Sequence, residues 1–86
     1  MIRDEKECVR ALLTLARQTK NYVCENDFLF EMDINSMTDD FKNHKVEDIN
    51  YLIDRVSTSL LEDNDKRAAL RLTQLNEIQV FVEKEK

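Results

Sequence analysis

Apolar residues recur at helical spacing in three long stretches of the chain. Val9, Leu12, Leu13, Ala16 and Val23 share one face, widened by Cys8, Leu15 and Tyr22, and predict a first helix from about Asp4 to Glu25. Asp4, Glu5 and Glu7 suit its electropositive start. Val46, Ile49, Leu52, Ile53, Val56 and Leu60 predict another helix over about Val46 to Leu61, with Glu47 and Asp48 in its first turn. Ala68, Ala69, Leu72, Leu75, Ile78, Phe81 and Val82 predict a last helix over about Asp65 to Glu83. Glu62-Asp63-Asn64-Asp65 reads as the turn before it. No glycine or proline enforces that break, so one long helix is the alternative. The stripes are broad, as in bundle helices with several neighbours, rather than narrow coiled-coil seams.

The stretch between the first two of these helices carries two patterns. Phe28, Phe30, Met32 and Ile34 alternate with Glu31, Asp33 and Asn35, which is strand-like. A lone strand would need a symmetry mate or a target to pair with. The same residues fit a short helix with Phe28, Met32 and Asn35 together and Leu29 toward the core. After a break at Asn26-Asp27, the expectation is a short helix or irregular arm. Ser36-Met37-Thr38-Asp39 has capping-box spacing and predicts a further helical turn to near Asn43, with Met37 and Phe41 inward. His44 falls in the connection that follows.

Composition strengthens the helical reading. The chain has no glycine and no proline. Tight hairpin turns favour glycine, whereas helices can end on Asn, Asp and Ser. The expected class is all-α: one domain over residues 1–86, a small three- or four-helix bundle, completed or extended by homodimerisation where the broad end stripes meet a second copy. Phosphate-loop and dinucleotide fingerprints are excluded because they need glycine. A chain of 86 residues buries roughly two thirds of its extended surface, which leaves little for a deep cleft.

Candidate chemistry is sparse. Cys8 and Cys24 would lie about 24 Å apart on one helix, far beyond the roughly 7 Å that a disulfide spans, so they read as free, apolar thiols. The single histidine, His44, has no nucleophile or orienting partner beside it, and the three residues lack paired metal-ligand spacing. Asp63-Asn64-Asp65 lacks the glycine and later glutamate of a calcium loop. No catalytic, metal or cofactor site is assigned, and enzyme activity is not expected. No apolar run spans a membrane and no secretory pattern opens the chain, so the expected compartment is the cytoplasm.

Charge changes the picture more than any motif. The formal charge is −5, yet residues 1–24 and 66–86 are each net +2, and residues 25–65 are net −9. Either the basic ends lie along the acidic middle, or the acids face a basic partner. Phe28, Phe30 and Met32, bordered by Asp33, Asp39 and Asp40, form the candidate partner-binding set: aromatic and methionine anchors inside a charged rim. The favoured expectation is an acidic helical protein-binding module, an inhibitor or adaptor that occupies the surface of another protein. A small dimeric DNA-binding regulator using Arg67, Arg71 and Gln74 is the alternative, less favoured because the Val46–Leu61 helix presents Glu47, Asp48 and Asp54 to phosphate and because such arginines more often cover the outside of a bundle. A structural assembly subunit is the third reading.

Overall fold

The computed structural model describes residues 2–85, which form four helices in chain order: α1 (Glu5–Gln18), α2 (Asp27–Lys42), α3 (Glu47–Glu62) and α4 (Lys66–Lys84). No strand occurs among the described residues. Three helix starts are capped by nearby side chains. Asp4 accepts from the Glu7 N–H at 2.8 Å, Asn26 from the Leu29 N–H at 2.9 Å, and Asp65 from the Arg67 N–H at 3.1 Å. The start of α3 has no such bond, but Glu47 and Asp48 lie in its first turn, where the helix dipole favours acids.

Two helix ends explain how a chain without glycine stops its helices. At the end of α1, Lys20 takes φ 62°; its N–H bonds to the Arg17 carbonyl at 3.1 Å, and the Asn21 N–H reaches the Ala16 carbonyl at 2.8 Å. At the end of α2, His44 also takes φ 62°; its N–H bonds to Phe41 at 3.0 Å, and the Lys45 N–H bonds to Asp40 at 2.8 Å. Both are paired 5→2 and 6→1 caps, built on a left-handed residue that is usually glycine. They correct the expected first helix, which stops at Gln18 rather than Glu25. They also correct the view of the cysteines as opposite ends of one helix. Cys24 lies in the α1–α2 connection, and both thiols are free.

A left-handed backbone costs a residue with Cβ roughly 1–2 kcal/mol, partly offset in a glycine variant by its freer unfolded chain. His44→Gly is therefore expected to stabilise the protein by about 0.5–1 kcal/mol in urea unfolding. A loss of stability would mean that the imidazole, not the backbone turn, holds this corner.

The largest correction concerns α2. Residues 27–42 form one continuous helix, not a short arm followed by a separately capped turn. Phe30, Ile34, Thr38 and Phe41 fall on one side at helical spacing and are buried. Phe28 and Met32 lie on the opposite side. Two interleaved stripes produced the apparent strand alternation. Ser36 is an exposed residue inside the helix, not a cap. The long-helix alternative for α3 and α4 is also overturned: Asp63 is extended, and its carboxylate takes the Asp65 N–H at 2.9 Å.

The four helices settle around α1, which touches α2, α3 and α4; α3 and α4 also meet each other. Leu12, Leu13, Val9 and Ala16 of α1 join Ile34, Ile49, Val56, Leu60, Leu75 and Ile78 in one core. Phe41 and Phe81 meet at 5.9 Å between ring centroids, bringing the end of α2 onto α4. The radius of gyration, 12.3 Å, matches the roughly 12 Å expected for a compact domain of this length.

Candidate protein-docking face

The outer side of α2 follows from its inner side. Because Phe30, Ile34 and Phe41 are held in the core, Phe28 and Met32 must face away from it. Phe28 is 73% exposed, Met32 52% and Leu29 38%, and Val23 in the preceding connection is 87% exposed. Phe28, Met32, Asn35 and Asp39 stand at i, i+4, i+7 and i+11, a stripe about 16 Å long. It is apolar at its start and acidic at its end, where Asp39 and Asp40 lie.

The rim acids differ in what they already hold. Glu31 makes a two-pronged pair with Arg10 of α1, at 2.6 and 3.0 Å. This hydrogen bonding holds the Glu31 carboxyl below its ordinary range and the Arg10 guanidinium above its own. Asp33 accepts from the Tyr22 hydroxyl. Burial, then that hydrogen bond, push the Tyr22 hydroxyl well above the usual phenol range. Arg10–Glu31 is the one ion pair among the described residues. Among the described residues, Asp27, Asp39 and half-buried Asp40 make no ion pair, and the first two are exposed. The basic ends meet the acidic middle, among the described residues, in a direct ion pair at Arg10–Glu31, with Lys6 adding a weaker attraction to Glu31. Asp39 and Asp40 also occupy the last turn of α2, where the helix dipole disfavours negative charge.

Beside this stripe runs a groove of about 190 Å³ between α2 and α3. Leu13, Met37 and Leu52 give it apolar walls, and Asp33, Asp40 and Asp48 line it with carboxylates. Small-molecule sites usually begin near 300 Å³, so this one suits a single side chain better than a whole ligand. No group of three His, Cys, Asp or Glu residues lies close enough to hold a metal ion, among the described residues.

The structure divides the six residues expected to bind a partner. Phe28, Met32 and Asp39 share the outer stripe, with Asp40 at its edge. Phe30 is in the core at 8% exposure, with the Arg17 guanidinium 4.9 Å from its ring centroid and Tyr22 against it. Asp33 ties the α1–α2 connection to α2 through Tyr22. Leu29 and Val23 belong to the exposed apolar surface but were expected to face inward. The Asn26 cap was the usable signal, because it fixes the helix phase from residue 27 onward.

The three residues of the nucleic-acid reading stand at i, i+4 and i+7 on α4, with acids beside two of them. Arg67 is exposed, Arg71 is half-buried in a groove with Glu62 and Asp63, and Gln74 lines another with Glu7 and Glu77. Of the two thiols, Cys8 is fully buried; burial and Glu5 push it up to about 12, which makes it inert. Cys24 donates to the Asn26 carbonyl at 3.2 Å. His44 is exposed at its left-handed turn. No described helix is long and apolar enough to cross a membrane. No protein-family model, curated protein or solved structure matches the chain.

Proposed function

We propose that the chain is an acidic, helical protein-binding module that acts as an inhibitor or adaptor by occupying a partner's basic surface. One observation carries this reading: Phe28, Leu29 and Met32 are exposed together on α2, beside Asp27, Asp39 and Asp40, which have no cation of their own among the described residues. Apolar anchors within a charged rim supply affinity at the centre and association rate at the edge. The module has a rigid scaffold to work from, because α2 is held by Ile34 and Phe41 in the core and by the Arg10–Glu31 pair. Free thiols suit a reducing compartment, so the cytoplasm belongs to the same proposal. So does a homodimer, for which Leu61, Leu70 and Val80 on α3 and α4 are exposed apolar surface.

Affinity capture from the native cell extract, with and without nuclease, tests the reading. The expected result is one dominant protein that survives nuclease, is lost with Phe28→Ala/Met32→Ala, and is retained with Tyr51→Ala on α3. Recovery of nucleic acid, lost with Arg67→Ala/Arg71→Ala, would replace this reading with the DNA-binding regulator. Sedimentation of the purified chain reads the homodimer independently.

A further inference from the structure

We infer that the occupant of the α2 face is a basic amphipathic helix, whose apolar side covers Phe28, Leu29 and Met32 and whose lysines or arginines meet Asp27, Asp39 and Asp40. The inference rests on the docking function proposed above and names the partner's chemistry.

The shape of the face selects a helix. Its exposed residues follow i, i+4, i+7 and i+11, a straight ridge over three turns that interdigitates with a similar ridge on another helix. Strand addition requires an exposed sheet edge, and the described residues form no strand. The apolar part, from Phe28 to Met32, spans just over one turn at the start of α2. A partner helix with apolar residues at i and i+4 has the matching length.

Charge selects a basic one. α2 carries Asp27, Glu31, Asp33, Asp39 and Asp40 against Lys42 alone. A second copy meeting this face with its own would bring two such surfaces together, and their acids would repel. A nucleic acid would be repelled for the same reason. The α2–α3 groove adds a specific receptor beside the ridge. Leu13, Met37 and Leu52 fit the methylene stem of a lysine or arginine, and Asp33, Asp40 and Asp48 surround the position of its charged end. Among the described residues, no lysine or arginine lines that groove. The acids of the last α2 turn persist against the helix dipole, as expected where local stability is given up for contact with a partner.

The test uses the full-length protein, isotopically labelled, and three synthetic peptides. The first is a helical peptide with leucines at i and i+4, flanked along the same face by lysine and arginine. The second has the same composition in scrambled order. The third keeps the leucine stripe but carries glutamate in place of each cation. The first is expected to bind, with amide shifts centred on residues 27–40 and spreading to Leu13 and Leu52. Phe28→Ala/Met32→Ala and Asp39→Asn/Asp40→Asn should each weaken it at least tenfold. The asparagine variant relieves the dipole conflict, so it should be no less stable than the parent, and unfolding cannot explain its loss of binding. The scrambled and acidic peptides should bind at least tenfold more weakly. Equal binding of the scrambled peptide, shifts centred away from α2, or no binding by the first peptide would overturn the inference. The capture experiment separates this failure from failure of the docking function. A captured protein that needs Phe28 and Met32 but contacts them through an acidic or non-helical segment overturns the helix inference alone.

Discussion

Phe30→Ala is expected to destabilise the protein by about 3 kcal/mol, whereas Phe28→Ala should change its stability by less than about 0.5 kcal/mol. The two phenylalanines are two positions apart in one helix and face opposite ways. Phe30 is buried, with Tyr22 beside its ring and the Arg17 guanidinium over it. Truncation removes the ring's transfer free energy and leaves a cavity next to α1. The expected value lies at the low end of the usual range for phenylalanine, because the covering guanidinium is a long, adaptable side chain that can follow a collapsing site. Phe28 makes no comparable burial, and alanine is a good helix former. Urea denaturation followed by far-UV circular dichroism measures both. Equal and small effects would mean that α2 does not bury Phe30. Equal and large effects would mean that the outer face of α2 is covered within the protein, which would remove the docking face. The contrast also sets the design of binding experiments: only Phe28 can be removed without disturbing the scaffold.

The legibility of this fold depended on whether one pattern or two ran through a segment. In α3 and α4 the buried residues, from Ile49 to Leu60 and from Ala68 to Val82, form single helical stripes, and their expected limits lie within one residue of those observed. In α2 the inner stripe of Phe30 and Ile34 interleaves with the outer stripe of Phe28 and Met32, so helical residues mimic a strand period. The end of α1 was hidden for another reason. Its stop signal is a Lys in the left-handed region, a conformation for which the sequence carries no glycine marker. Val23 fell outside the helix and became exposed as a result. The candidate site was legible as composition: the residues Phe28, Met32, Asp39 and Asp40 stood out by type. Their grouping was not, because which aromatic is an anchor and which is core depends on helix phase. The Arg10–Glu31 pair, 21 residues apart, depends on how α1 and α2 cross, and no local pattern encodes that crossing.

Leu12→Ala should cost about 3 kcal/mol and unfold all four helices in one lowered transition, while Leu61→Ala should cost less than about 0.5 kcal/mol. Leu12 is fully buried on α1, the helix that touches every other; Leu61 lies exposed near the end of α3. A domain of this length has a total stability of roughly 4–13 kcal/mol, so one cavity in its central helix removes a large fraction. At about 4–8 °C per kcal/mol, the melting temperature should fall by roughly 12–24 °C. The chain supplies two probes of cooperativity. Tyr22 sits between α1 and α2 against Phe30, Tyr51 lies on α3, and there is no tryptophan to mask their fluorescence. Because α1 shares the core with each neighbour, α2 has no independent core to keep when α1 is weakened. Tyrosine fluorescence and far-UV circular dichroism should therefore share one midpoint in Leu12→Ala, lower than that of the parent. A fluorescence change that precedes the loss of helix would show α2 peeling from α1 first. The docking face would then be a mobile element, not the rigid ridge on which tight binding of a partner helix depends.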